Sequence, residues 1–173
     1  MNRSRRFLLL LLCALLPLLT ACGDSVIQMT PNEYILSINS LVEDNLGGIG
    51  ITDTIDANTT VSQITDTLYL TLAADPVTGL LTQAELALYL TPETETLDRT
   101  LFEHYCLILL KAYDADISSA NLNAVHDTLG IENYTVGIDT KIGYGRSTYF
   151  YTVSEDRALF SAQFFLPSET LAP

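Results

Sequence analysis

The stretch LYLTLAADPVTGLLTQAELALYL, residues 68–90, decides the fold of this chain. Apolar and polar side chains alternate over residues 68–72, which is the pattern of a half-buried β-strand. Residues 75–79, Asp-Pro-Val-Thr-Gly, predict a turn, because proline fixes φ and glycine permits a positive φ. Residues 80–90 return with a spacing of two. Their helix propensity is also good, but the turn before them and the spacing favour a second strand, and therefore a hairpin.

A helix is predicted before this hairpin. Thr30 and Glu33 form a capping box, and Pro31 suits the first helical position. Apolar residues then repeat at helical spacing as far as Val42. Residues 51–60 are rich in Thr and Asp, so they predict a loop, with a short edge strand as the alternative.

Two helices are predicted after the hairpin. The segment from Thr96 to Tyr113 is apolar on most sides, which is typical of a central helix. A second helix is expected from about Ile117 to Leu129, with Gly130 as its C-terminal cap. Gly145-Arg146-Ser147 predicts a hairpin turn in the remaining sequence. Three strands are predicted there, over residues 134–144, 148–153 and 158–166.

The predicted order of elements is α-β-β-α-α-β-β-β. Sequential strands joined by short turns favour an antiparallel sheet. We therefore expect an α+β domain with a sheet of about five strands and helices packed on one face. The two halves share a rhythm that suggests a duplicated helix-plus-hairpin unit, although no residue-level repeat accompanies it.

The first 22 residues have the three parts of an export signal. Arg3, Arg5 and Arg6 form a positive region, and residues 7–19 form an apolar run. This run is too short to span a hydrocarbon core of ~30 Å as a helix. It ends in Leu19-Thr20-Ala21-Cys22, which resembles the lipobox of bacterial lipoproteins.

The resemblance implies cleavage before Cys22, a diacylglyceryl group on its thiol, and acylation of the new N-terminus by a fatty acid such as palmitate. An ordinary secretory signal with an incidental cysteine is the alternative. We expect a lipid-anchored protein on the extracytoplasmic face of the bacterial cell membrane, or in the outer membrane of a Gram-negative host. The expected organisation is a cleaved signal peptide over 1–21, a lipidated tether over 22–29, a single domain over 30–166 and a flexible tail over 167–173.

The expected mature chain is strongly acidic. Five Lys and Arg remain after cleavage against 21 Asp and Glu, so its net charge is near −16. Such a surface disfavours nucleic acid, which needs clustered Lys and Arg. Anionic headgroups would also repel it, so membrane attachment must depend on the lipid. An envelope or secreted protein, a cation or a neutral ligand is compatible with this charge.

Few residues offer catalytic or metal chemistry. Cys106 is the one cysteine after Cys22, so the mature chain can form no internal disulfide and no cysteine-based metal site. His104 is expected to be a partly buried structural residue, with a catalytic base as the alternative. His126 is expected on a solvated helix face. No catalytic residue, metal site or cofactor is predicted.

Asp114-x-Asp116-x-Ser118 allows a calcium interpretation. The Gly and Glu that an EF-hand needs further along are replaced by Ser119 and Val125. A helix N-cap at Asp116 or Ser118 explains the residues better.

An aromatic hairpin is the candidate interaction surface. It consists of Tyr144, Arg146, Tyr149 and Tyr151, and both residue types are enriched at interaction hot spots. Neighbouring strand residues face opposite sides, so the hypothesis requires Tyr149 and Tyr151 to be exposed and Phe150 to be buried. Cross-strand aromatic packing is the alternative.

The sequence therefore favours a membrane-anchored, non-enzymatic binding or interaction domain. The alternative is an envelope-associated hydrolase that uses carboxylates no sequence pattern identifies.

Overall fold

Six strands form one antiparallel sheet in the part of the chain that the structure describes. The structure is a computed structural model, and it describes residues 28–46, 59–92, 94 and 96–165. The signal segment, Cys22 and the predicted tail lie outside these residues. In chain order the elements are α1 (Pro31–Leu46), β1 (Thr59–Gln63), β2 (Leu68–Ala74), β3 (Leu81–Tyr89), α2 (Thr96–Tyr113), α3 (Ser119–Leu129), β4 (Asp139–Tyr144), β5 (Ser147–Val153) and β6 (Arg157–Phe164).

The sheet consists of two three-stranded meanders that meet in the middle. Its strand order is β1-β2-β3-β6-β5-β4. The meanders join where β3 pairs with β6, from Gln83 opposite Gln163 to Tyr89 opposite Arg157. Each meander follows one or two helices in the chain. The rhythm of the two halves is thus a helix-plus-meander unit, one strand longer than the hairpin unit that the sequence suggested.

The α+β class and the antiparallel sheet are confirmed, but the expected number of about five strands is wrong. The additional strand is β1, which the sequence favoured as a loop. Its alternation turns Thr60 and Ser62 toward the core and leaves Val61 exposed. Hydrophobic periodicity misses such a strand, because its buried positions are polar.

The hairpin of β2 and β3 forms as predicted. The Asp75 carboxylate accepts hydrogen bonds from the backbone N–H of Val77 at 3.0 Å and of Thr78 at 2.8 Å. These bonds lower the pKa of Asp75. Gly79 has φ near 70°, which a side chain would disfavour. Residues 81–89 are a strand, so the helical alternative for this segment is wrong.

The helices cover one face of the sheet and create the core there. Helix α2 is central, since it buries residues on most of its sides between Leu101 and Tyr113. The ring of Phe102 lies 6.2 Å from that of Tyr151, and Tyr113 stacks on Phe164 at 3.9 Å. The strand residues buried on this face are Leu68, Leu70, Leu72, Ala84, Leu86, Leu88, Tyr149, Tyr151, Val153, Ala158, Phe160, Ala162 and Phe164.

The predicted helix ends are confirmed. In α1, the Thr30 N–H donates to the Glu33 carboxylate at 2.7 Å, and the Glu33 N–H donates to the Thr30 hydroxyl at 3.3 Å. In α3, Ser118 is the N-cap and accepts from the Asn121 N–H, while Gly130 takes the left-handed cap conformation. No helix within the described ranges is long and apolar enough to cross a membrane.

The strand predicted over residues 134–144 begins only at Asp139. Gly137 has φ near 94° and its N–H donates to the Val153 carbonyl, so the chain turns there rather than extending. Tyr134 instead packs on the core, and its hydroxyl donates to the Glu103 carboxylate at 3.1 Å.

Contacts with the sheet begin at Met29, inside the predicted tether. The Leu81 N–H donates to the Met29 carbonyl at 2.8 Å, and the Met29 side chain packs against the core. The chain is therefore fixed to the start of β3 one residue before the α1 cap.

Candidate binding surface

The face of the sheet opposite the helices carries polar and aromatic side chains, and we call it the open face. Antiparallel pairing aligns its residues in rows across the strands. One row, from β1 to β4, is Gln63, Tyr69, Ala87, Leu159, Thr152 and Asp139, and its neighbour is Val61, Thr71, Glu85, Ser161, Phe150 and Lys141.

A trough of about 620 Å³ lies on the open face over β1, β2, β3 and β6. Ala87 stands between Tyr69 and Leu159 in its row, and its single methyl group leaves a dip there. The trough therefore has a shallow floor at β3 and higher walls on the neighbouring strands. Its lining residues are Val61, Asp66, Thr67, Tyr69, Thr71, Glu85, Ala87, Tyr89, Thr91, Arg157 and Leu159.

Two tyrosines form the aromatic wall of the trough. The rings of Tyr69 and Tyr89 are 5.6 Å apart and nearly perpendicular, at 87°. This edge-to-face arrangement is favourable for aromatic pairs. The Tyr69 hydroxyl donates to the Asp66 carbonyl at 3.2 Å, which orients that ring. Tyr89 is 41% exposed, so it offers apolar ring surface to a ligand without a change in the fold.

Charged side chains of both signs line the same trough. Glu85 is half-buried and accepts a hydrogen bond from the Gln83 side-chain amide at 2.6 Å. Arg157 stands opposite Tyr89 across the seam between β3 and β6. Together with Asp66, these residues leave the lining with one more negative than positive charge. The arrangement can hydrogen-bond a polar ligand that also stacks on the tyrosines.

The interaction surface predicted from the sequence is wrong for two of its four residues. Tyr149 and Tyr151 are 2% and 0% exposed, which is the result that the hypothesis excluded. The alternation of β5 directs both rings into the helix-covered core and places Phe150 on the open face. The Tyr151 hydroxyl donates to the Asn133 carbonyl at 3.0 Å. Burial raises the pKa of Tyr149 to about 12.

The other two predicted residues lie apart from the trough. Tyr144 is half-buried, and its hydroxyl accepts from the Asn121 side-chain amide at 3.0 Å, which connects β4 to α3. Arg146 is exposed in the β4–β5 turn. The four residues therefore do not form one exposed surface.

The two histidines have the opposite exposure to that expected. His104 is exposed, with its Nδ1 2.7 Å from the Thr100 carbonyl. Its neighbours Tyr105 and Cys106 are buried, so the apolar stripe of α2 turns away from position 104. His126 is half-buried, with its Nδ1 3.6 Å from the Asp127 carboxylate.

The Asp114–Ser118 segment is a helix linker, as the N-cap interpretation predicts. The Asp114 carboxylate accepts from the Asp116 N–H at 3.2 Å, which stabilises the turn before α3. Within the described ranges, no group of three or more His, Cys, Asp or Glu side chains could hold a metal ion. Cys106 is fully buried, and this burial raises the pKa of its thiol.

Sequence reasoning missed Tyr89, Glu85 and Arg157 as site residues. The alternation of residues 68–90 does assign Tyr69 and Glu85 to the face opposite the leucines, so one signal was present. That signal does not show which face the helices leave uncovered. Arg157 was assigned to a turn, although it is the first residue of β6.

No protein-family model matches the chain, and no curated protein or solved structure gives a significant match. The function is therefore argued from the open face alone.

Proposed function

We propose that this chain is a membrane-anchored extracytoplasmic lipoprotein whose domain binds a ligand or partner in the open-face trough. One observation carries the binding proposal: the uncovered face presents Tyr69 and Tyr89 beside the dip at Ala87. A concave surface with aromatic walls and a few polar groups is the usual form of a binding site. Tyrosine is also enriched among residues that dominate binding energy.

The anchor proposal rests on the lipobox-like segment Leu19-Thr20-Ala21-Cys22. Because Met29 already contacts the sheet, six residues separate Cys22 from the fold. Their fully extended reach is about 20 Å, so the domain is expected close to the bilayer. Changing Cys22→Ala should stop processing of the precursor and release the protein from the membrane fraction. A processed, membrane-bound Cys22→Ala variant would overturn the anchor proposal.

The binding proposal is tested by photocrosslinking in the native membrane. A photoreactive phenylalanine derivative replaces Tyr89 in one variant and Leu36 in a control variant. Leu36 is 69% exposed on α1, on the helix side of the domain. We expect a discrete adduct from position 89 and none from position 36, and loss of the adduct when Ala87→Arg fills the dip. Equal labelling from both positions, or none from position 89, would contradict the proposal.

A hydrolase is the second candidate, because Asp66 and Glu85 both line the trough. Glycoside hydrolysis uses a pair of carboxylates in this way. Incubation of the protein with envelope polysaccharide distinguishes the two functions. A binding domain returns the polysaccharide intact, whereas a hydrolase releases fragments, and Glu85→Gln should stop that release.

A further inference from the structure

We infer that the trough binds an uncharged, linear oligosaccharide. This inference rests on the proposed binding function and names the class of ligand. It follows from four properties of the open face: its charge, its hydrogen-bonding groups, its exposed ring and its length.

The trough is nearly neutral on a strongly acidic protein. Its lining has Asp66 and Glu85 against Arg157, whereas the expected mature chain has 21 acidic against five basic residues. An anionic ligand would be repelled by the surrounding field. A polycation would be attracted to the acidic surface in general rather than to this trough. The local charge balance therefore favours a ligand without net charge.

The polar groups of the trough both donate and accept hydrogen bonds. Thr67, Thr71 and Thr91 carry hydroxyl groups, which can do either. The Glu85 carboxylate accepts, and its bond from Gln83 orients it. The Arg157 guanidinium donates in a fixed geometry. Sugar hydroxyls also donate and accept, so a polyhydroxylated ligand satisfies this mixed set better than an apolar one.

The exposed ring provides the apolar part of the site. Tyr89 has its ring held against Tyr69 by the edge-to-face contact. The face of an aromatic ring is electron-rich and attracts polarised C–H groups. Pyranose sugars have one face of such C–H groups beside a rim of hydroxyls. The methyl group of Ala87 leaves space for a sugar ring next to these tyrosines.

The length of the trough favours an oligomer over a single sugar. It crosses four strands, and three strand spacings of ~4.8 Å give a length of ~14 Å. A linear chain that lies across the strands meets a new row of side chains at each spacing.

The test uses the full chain purified in detergent, with calorimetric titration of two probes: linear oligomers of N-acetylglucosamine and of glucose. We expect binding of at least one probe. Tyr89→Ala should weaken it about tenfold, as expected for a hot-spot aromatic residue, and Tyr89→Phe should retain most of the affinity. Ala87→Arg should abolish binding, and Leu36→Ala is the matched exposed control with unchanged affinity. Circular dichroism of each variant verifies the fold.

Failure of this inference can be told from failure of the proposed function. If neither probe binds while Tyr89 still crosslinks in membranes, the ligand class is wrong and the binding function stands. Binding of oligolysine that Glu85→Gln weakens would identify a basic polypeptide as the ligand, and an adduct between two copies of the chain would identify self-association. Either result overturns the oligosaccharide. Sugar binding that survives both Tyr89→Ala and Ala87→Arg would overturn the site, and loss of both crosslink and binding would overturn both proposals.

Discussion

The two faces of the sheet use tyrosine in different ways. On the helix-covered face, Tyr149 and Tyr151 fill the core from neighbouring core-facing positions of β5. On the open face, Tyr69 and Tyr89 stand on β2 and β3 beside a trough. The residue type and the alternation are the same on both faces. Only the position of the helices decides which pair stabilises the fold and which pair can meet a ligand.

The hydroxyl groups show the same difference. In the core, Tyr34 donates to the Leu109 carbonyl of α2 at 2.8 Å, which joins two helices across the structure. On the open face, Tyr69 donates only to Asp66, three residues away. Core tyrosines therefore connect distant elements, whereas those of the trough are oriented locally.

The largest effect is expected from truncation of the central helix. Phe102 is fully buried on α2, and its ring lies near those of Tyr134 and Tyr151. Phe102→Ala should lower the free energy of unfolding by about 3–5 kcal/mol through lost burial and a cavity. Urea denaturation measures this change. Leu97→Ala on the exposed side of α2 is the control, with an expected change within about 0.5 kcal/mol. A small loss for Phe102→Ala would mean that this face is not the core.

The second effect is alkaline destabilisation by the covered-face tyrosines. Burial raises the pKa of Tyr105 and of Tyr149 from 10.0 to about 12. Because the folded pKa is the higher one, this contribution is complete below pH 10 and is lost as the pH rises toward 12. In that window the free energy of unfolding should fall by up to about 1.4 kcal/mol per pH unit for each such tyrosine.

Urea denaturation at a series of pH values tests this expectation. Tyr149→Phe should make the dependence shallower by one titrating group, whereas Tyr89→Phe on the open face serves as the matched control. An unchanged slope for Tyr149→Phe would contradict the assignment of Tyr149 to the core.

The third effect concerns the edge strand. The Thr60 hydroxyl is buried on β1 and has no hydrogen-bond partner among the described residues. Thr60→Val removes an unsatisfied buried polar group at nearly constant volume, so stability should rise by about 1 kcal/mol. Thermal denaturation measures it, with Thr59→Val on the exposed side of β1 as the control. A loss of stability would show that the hydroxyl has a partner, for which residues 47–58 are the nearest chain.

The smallest effect is expected from the trough itself. Tyr89→Ala should change the free energy of unfolding by less than about 1 kcal/mol, because its ring is largely exposed and loses mainly the Tyr69 contact. The same variant should lose most of its binding. A destabilisation as large as that of Phe102→Ala would make Tyr89 a structural residue and remove the contrast between the faces.

Local signals were sufficient for most of the fold. The capping box of Thr30 and Glu33, the turn ending at Gly79 and the cap at Gly130 each depend on residues a few positions apart. Strand β1 could not be recognised in the same way, because Thr60 and Ser62 occupy its buried positions. The late start of β4 depends on a bond between Gly137 and Val153, which lie on different segments.

The candidate site was beyond local signals because it is defined by what the helices leave uncovered. Alternation predicts that Tyr149 and Tyr151 share a face, and that Tyr69 and Glu85 share another. It does not predict that β3 pairs with β6, which turns the first pair inward and unites Tyr89 with Arg157. That pairing joins segments roughly 70 to 80 residues apart in the chain.

The seam between β3 and β6 also sets the order in which this molecule can become active. Each three-stranded meander contains only short-range pairings, so it closes small loops, whereas the seam must close a long one and is the slower step. The trough draws Tyr69 and Tyr89 from the first meander and Arg157 and Leu159 from the second. During export, a chain with both meanders formed but not yet joined has a nearly complete secondary structure and no trough. Ligand capture therefore reports that the two halves have found each other.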